Sequence, residues 1–510
     1  MKNTVELLQK IETLASTLAL KEREIAAKNI HIQLLEEKLA QFKRRQFAAS
    51  SEKYSPDQLS LFDEAENTDT SAEEAEPEEQ PTTKTTTTPA QRTRKRPSIP
   101  DNLPRVDIIH DLTEEEKICP HDGTALKCIG SETHEQLEII PAKIYVLKHI
   151  RHTYACPCCE QHLITASKPK QPIEKSIATP SLLATVATQK YADGLPLYRQ
   201  VAMFNRIEVP LEPSTLASWM QKCGALVQPL INLIHEKILE EKYLHMDETR
   251  VQVLNEPGKT AQSQSYMWAL RSTGSSPAVL FHYEPTRSGT VAKELLRDFN
   301  GALMVDGYEG YNPVCEANGI TRLGCLAHAR RKFIDAQKMQ PKGKIGKADE
   351  ALNLIQKLYR VEQLAKGKTR EEKYQLRQQE AQPILDKLKI WMEKSLPQVP
   401  PKTALGKAFH YLHTQWPRLI RYLEHGDYPI DNNPAENAIR PFVIGRKNWL
   451  FSTSQKGAVA SANLYSLIET AKANGLEPFA YLKYIFTQLP NAQTLADIED
   501  LLPWNVKGGV

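Results

Sequence analysis

The sequence predicts an α/β domain with a mixed sheet, interrupted by a helical insertion and preceded by helical and cysteine-rich units. Three observations carry this. From residue 241 three β-rich runs follow one another, EKYLHMDETRVQVL, SYMWALRS and PAVLFHYE, each followed by Gly, Pro or Ser turn material. A helical run, TVAKELLRDF, then leads into GALMVDGYEGY and GITRLGCLAHARRKF, so hairpin-linked strands give way to alternating helix and strand. Between about 340 and 425 the pattern is wholly helical, before the chain reaches DNNPAENAIRPFVIGRKNWLF.

The 510 residues leave room for about three domains. A hydrophobic share of 41%, a charged share of 25% and a mean hydropathy of -0.47 are those of an ordinary soluble protein. No run approaches eighteen apolar residues, and the start, MKNTVELLQKIETL, is charged and periodic, which argues against membrane and secretory classes. Cys119, Cys128, Cys156, Cys158 and Cys159 cluster closely, which suits a metal site in a reducing compartment better than a disulfide framework. A cytoplasmic, nucleoid-associated protein is expected. The net charge of +3 hides a segregation. Residues 63 to 80 hold nine acids and no Lys or Arg, so the rest of the chain is distinctly basic, as a phosphate-binding protein would be.

Residues 1–48 carry a heptad seam, Leu7, Ile11, Leu14, Leu18, Lys21, Ile25, Lys28, Ile32, Leu35, Leu39 and Phe42, unbroken by Pro or Gly. This predicts a coiled coil that pairs protomers, the alternative being an amphipathic helix packed on its own domain. Residues 49–102 are acidic and Thr-rich and cannot bury enough apolar area to order themselves, so they predict a disordered linker. The RTRKR string near its end could touch DNA phosphates or remain solvated. Residues 103–165 are short β-prone runs around the cysteines, a small zinc-ribbon-like unit. Residues 176–240 read as helices with a Pro-containing turn, compatible with a helix-turn-helix DNA-binding domain or with plain helix packing. The α/β domain is expected to span 241–455, with its helical insertion, and 456–510 to form a C-terminal helical region.

Asp247 and Asp306 each end an apolar β run, where an α/β sheet places its ligand groups. Glu436 follows Pro434 in a helical first turn. Singly, each acid suits a turn, a cap or an exposed ion pair. Together, two strand acids and one helix acid can hold the pair of divalent cations that clamps the attacking and departing oxygens of a phosphodiester, with Mg2+ or Mn2+ suited to oxygen ligands. Arg330, Arg331, Lys332, Arg440, Arg446 and Lys447 could supply phosphate charge, and Trp449 could stack on an unpaired base.

These blocks, HMDETRVQVL, MVDGYEGYN, GCLAHARRKF and DNNPAENAIRPFVIGRKNWLF, resemble those of the insertion sequence 66 family of DDE transposases, as do the zipper-like start, RRQFAASSEKYSPDQLSLFDEAE, KYADGLPLYRQ and STLASWM. The resemblance implies a ribonuclease-H-like α/β catalytic domain with an α-helical insertion before the Glu, and Asp247, Asp306 and Glu436 as its metal-binding triad. It implies DNA as partner, both terminal inverted repeats and target, with small accessory proteins of the same element. It also implies a second-shell role for Cys325 and His328, whose C-x-x-H otherwise reads as a packed Cys beside a hydrogen-bonded His. Asn432 and Asn433 are expected to cap or position the catalytic helix. Two departures stand out. Asn437 follows Glu436 where the family pattern has Arg, and the expected C-x-x-C opening reads Cys119, Pro120, His121, Asp122. The zinc ligands expected are then Cys119, Asp122, Cys156 and Cys159, with His121 or Cys128 as substitutes for Asp122 and a ribbon held by packing alone as the alternative.

The expected function is a transposase that hydrolyses DNA at the element ends and joins the freed 3′-hydroxyl to target DNA. A metal-dependent nuclease without joining, or an inactive DNA-binding descendant, are the alternatives.

Overall fold

The computed structural model describes residues 144–155, 163–340 and 346–506, together with helical residues between 14 and 39, excluding 26, 30, 33, 34 and 37. The linker at 49–102 and the expected zinc ligands Cys119, Asp122, Cys156 and Cys159 lie outside the described residues. Among the described residues of the N-terminal helical stretch the seam positions Leu14, Leu18, Ile25, Ile32, Leu35 and Leu39 are exposed. Lys21 and Lys28, which interrupt the seam, both pair with Glu24, at 3.1 and 2.9 Å.

The chain divides into two units, of which the smaller comprises residues 72–168. Its described part is a short antiparallel pair, β1 (Thr153–Ala155) and β2 (Leu163–Thr165), in which the Thr153 and Thr165 hydroxyls meet at 2.9 Å.

The larger unit opens with four helices, α1 (Pro180–Tyr191), α2 (Leu197–Arg206), α3 (Pro213–Leu226) and α4 (Gln228–Leu239). Pro stands in the first turn of α1, α3 and α4, where no backbone donor is lost, and the Thr179 hydroxyl caps α1 by accepting from the Leu182 N–H at 3.2 Å. Three strands follow as an antiparallel meander, β3 (Tyr243–Asn255), β4 (Gln264–Arg271) and β5 (Val279–Glu284). After α5 (Gly289–Leu295) come β6 (Ala302–Val305), α6 (Asn312–Asn318), β7 (Thr321–Gly324) and α7 (Leu326–Gln337). β6 lies parallel to β3 and β7 parallel to β6, giving the strand order β5-β4-β3-β6-β7. β6 is wholly buried, as expected of a parallel strand covered on both faces.

The helical insertion is α8 (Lys347–Ala365), α9 (Arg370–Leu376), α10 (Gln382–Ser395) and α11 (Ala404–Leu419). It packs with α7 around a core of its own, in which the Trp391 and Phe409 rings stack at 5.0 Å. The chain then returns to the sheet through α12 (Asn433–Trp449), and β8 (Ser452–Ser454) pairs with the far half of β3, Ser452 opposite Val253. α13 (Gln455–Ala473), α14 (Pro478–Gln488) and α15 (Leu495–Glu499) complete the chain.

The expected separation of 176–240 from the catalytic domain is corrected here. α1 to α4 share one apolar core with the sheet, α12, α13 and α14. The cause is α13, whose two faces are both used. One receives α3 so closely that a Cβ on Gly224 would lie 2.6 Å from the Ala460 Cα, and Asn463 donates to the Gly224 carbonyl at 2.8 Å. The other covers β5, where Ser466 and Thr470 accept from the Phe281 and Val279 N–H groups at 2.7 and 3.0 Å. Those strand-edge donors would otherwise be buried without partners. No helix among the described residues is long and apolar enough to cross a membrane.

Candidate active site

Register brings the two aspartates together. His245 of β3 lies opposite Met304 of β6 in a parallel pair, and Asp247 and Asp306 each stand two residues further on. With strands about 4.8 Å apart and a side-chain period of two, that places both carboxylates beside each other on one face. Glu436 enters from the first turn of α12, which is tied to β4 by an Arg271 guanidinium donating to the Pro434 carbonyl at 2.6 Å.

Asp247 senses the charges of the acids around it. Loss of hydration pushes the Asp247 carboxyl well above its ordinary range, and the charges of Glu248, Glu436 and Asp306 push it further. Against this stands a hydrogen bond from the Glu248 N–H at 2.9 Å. A dehydrated carboxylate with further carboxylates beside it forms a donor set that fits a divalent cation of the Mg2+ type, which prefers hard oxygen ligands. Glu436 accepts from Arg331, and its Oε1 lies 3.6 Å from the His328 Nδ1, too far for a hydrogen bond.

Asn432 is the joint of the site, although its side chain makes no helix-cap bond. Fully buried, it donates through Nδ2 to the Met246 carbonyl at 2.9 Å, beside Asp247, and its Oδ1 pairs with the His245 Nδ1 at 3.0 Å. Its own N–H meets the Cys325 Sγ at 3.1 Å. One amide side chain thus links the strand of Asp247 to the helix of Glu436. Its side chain does not cap the helix it precedes.

Other residues that shape the site were not singled out in the sequence. Arg322, buried in β7, donates to the Asp306 and Tyr308 carbonyls at 2.9 and 2.8 Å. Glu248 accepts from Tyr311 and Arg287, and the Arg287 guanidinium lies 4.0 Å from the Tyr308 ring centroid. Together they hold the loop that follows Asp306. An arginine within the apolar run ITRLGCL was the legible signal for the first.

Cys325 precedes α7 and His328 lies one turn on, and their ligand atoms and a Glu436 oxygen lie within 4.8 Å of one another. Burial holds the Cys325 thiol protonated, its pKa pushed far up, so it acts as a packed acceptor for Asn432. Burial and the neighbouring Arg331 lower the His328 imidazole. Of the basic residues expected to meet phosphate, Arg331 is engaged with Glu436, Lys332 lies 4.9 Å over the Tyr411 ring, and Arg446 donates to the Arg250 carbonyl and to the Thr249 hydroxyl. Arg330 and Arg440 are half-buried and Lys447 is exposed. Trp449, expected to stack on a base, instead packs edge-on against Phe442 at 5.5 Å, with the Lys190 ammonium 5.4 Å from its ring.

Residues 175–460 match the family described as Transposase IS66 family, and 466–504 its C-terminal element. Residues 116–160 match the zinc-finger binding domain of transposase IS66, and 34–108 match a segment described as Transposase C of IS166 homeodomain. Two uncharacterized proteins of Sinorhizobium fredii are similar along most of their length. The protein y4jD is 32% identical over 422 residues, covering 80% of this chain and 81% of its own. The protein y4qI is 33% identical over 432 residues, covering 82% and 79%. No solved structure matches the chain. With more than half its length matched, and its acids gathered on one sheet face and the adjoining helix, the chain belongs to the IS66 family of transposases.

Proposed function

We propose that this transposase binds the terminal inverted repeats of its element, cleaves DNA at the element ends and joins the freed 3′-hydroxyl to target DNA. The observation that carries this is the gathering of Asp247 and Asp306 on one sheet face with Glu436 on the adjoining helix, the charges of Asp306 and Glu436 both acting on Asp247. A ribonuclease-H-like fold is the reading that the antiparallel meander flanked by two parallel strands supports. Asp247, Asp306 and Glu436 would hold Mg2+ or Mn2+, which when bound supplies Lewis-acid charge at the attacking and departing oxygens.

The chain's own residues set the geometry. Asn432 keeps α12 against β3, Arg322 fixes the backbone after Asp306, and Arg331 bears a positive charge beside Glu436. Water attacks the phosphodiester at the element end and releases a 3′-hydroxyl; that hydroxyl then attacks target DNA in line, so no covalent protein intermediate forms. Cleavage and joining of DNA bearing both ends, in Mg2+, tests this. Asp306→Asn is expected to lose both while still binding the ends. Cleavage without joining in wild type would reduce the protein to a nuclease, and undiminished joining by Asp306→Asn would remove Asp306 from the chemistry.

We further infer self-association through the N-terminal helix, supported by its exposed seam. Accessory proteins of the element and target DNA are the remaining partners. Zinc is assigned to Cys119, Asp122, Cys156 and Cys159, within the matched zinc-finger segment, since three sulfurs and one oxygen suit a tetrahedral ion. Freshly purified protein is expected to carry about one equivalent; a value near zero would leave the unit held by packing.

A further inference from the structure

Leu450 ends α12 with φ 66° and ψ -54°. Its N–H reaches the Arg446 carbonyl at 2.7 Å, and the Phe451 N–H turns back to the Trp449 carbonyl at 2.9 Å. Residues 449–451 therefore form a three-residue γ-turn of the rare, strained hand. A leucine adopts this backbone under strain that glycine would not feel. The strained turn reverses the fate of successive side chains. Trp449 packs inward on Phe442, whereas Leu450 and Phe451 are 63% and 41% exposed.

The turn sits at the rim of an open groove. Leu450 lines it with Arg250, Val251, Gln252, Gln264 and Arg446, and a second hollow that shares Arg250 and Arg446 is lined by Thr249 and Glu248. Asp247 is the next residue of the strand. Ser452 pairs with Val253, so the turn lies roughly 10 to 20 Å along β3 from Asp247, which is three to six base-pair steps of B-DNA. The groove is cationic. Burial and the neighbouring Arg250 charge both lower the Arg446 guanidinium, while Glu248, the carboxylate that lines the second hollow, is committed to Arg287. Arginines and glutamines along a channel suit a nucleic-acid backbone, and an exposed apolar tip at its end suits the space between two bases.

We propose that the Leu450–Phe451 turn is a wedge that enters the duplex a few base pairs from the cleaved bond and holds a base step unstacked. This rests on the transposase reading above. The paired arginines favour a polyanion over a second copy of the chain as occupant. Strain is retained at Leu450 because the side chain must project from the end of the catalytic helix, in fixed register with Glu436.

The test uses full-length protein carrying Asp306→Asn, so that DNA is bound and not cut, and duplexes of each element terminus with 2-aminopurine at single positions near the cut. Anisotropy reports binding, and 2-aminopurine fluorescence reports unstacking. A severalfold rise is expected at one or two adjacent positions. It is expected to fall to the free-duplex level in Leu450→Gly and to drop in Phe451→Ala, with affinity largely kept. Leu450→Gly relaxes the turn and is expected to melt no lower than its parent, so loss of signal cannot be ascribed to misfolding. An unchanged rise in Leu450→Gly, or bound duplex with no rise at any position, overturns the wedge and leaves the transposase reading standing. A change in oligomeric state of DNA-free Leu450→Gly, with the fluorescence unaltered, makes this face a contact between copies and overturns it as well. Failure of any terminus to bind overturns both.

Discussion

Replacing Asp247 by Asn is expected to reduce DNA cleavage and joining by roughly a thousandfold or more, while raising the melting temperature of the protein in chelator. The two effects have one cause. Asp247 has lost its own hydration and stands among Glu248, Glu436 and Asp306. Its carboxyl is therefore raised in the folded chain. Between its ordinary value and that raised one, the folded state binds the proton more tightly than the unfolded state, so stability falls as pH rises through this window. An amide of the same shape removes the penalty, and the gain over wild type vanishes in acid, where Asp247 is protonated. Wild type is expected to gain melting temperature with added Mg2+ by mass action, and the variant to gain less. Thermal melts in chelator and in Mg2+ at several pH values, alongside a cleavage assay, check this. A variant that melts lower than wild type in chelator would make Asp247 a structural residue.

Asn432→Ala carries the second large effect. It strands two buried groups, the Met246 carbonyl and the His245 ring nitrogen, at about 1 to 3 kcal/mol each. A total loss of about 2 to 6 kcal/mol is expected in denaturant unfolding. Cleavage is expected to fall by more than the folded fraction explains, because Glu436 lies four residues on. His245 adds a pH signature. Burial pushes its imidazole down to about 4, so the folded chain refuses a proton that the unfolded chain accepts. Stability is present above the ordinary histidine value of about 6.5 and is lost as pH falls toward about 4. Asn432→Asp keeps the acceptor and removes the donor to Met246, and is expected to fold while requiring more Mg2+ for cleavage. An Asn432→Ala chain as stable and as active as wild type would show that α12 is held by its apolar face alone.

Much of the site was legible because its signals are local. Apolar alternation and turn residues placed β3, β4 and β5, and an acid at the end of an apolar run marked Asp247 and Asp306. Pro434 before Glu436 marked the start of a helix. The supporting residues were far less legible. Nothing near Asn432 in sequence says that its partners are Met246 and His245, nor that Arg322 reaches the Asp306 carbonyl.

By itself, then, the sequence determined the strands of the meander, the helical insertion and the family resemblance, and it nominated the acids, since these depend on side chains within a few positions of one another. Tertiary structure decided the parallel register that sets Asp247 beside Asp306, the merging of α1 to α4 with the sheet through α13, and the turn that buries Trp449 and exposes Leu450. Each of these depends on which distant surface a residue meets. That choice follows from packing and from the pairing of buried polar groups across the whole core, which local periodicity does not encode.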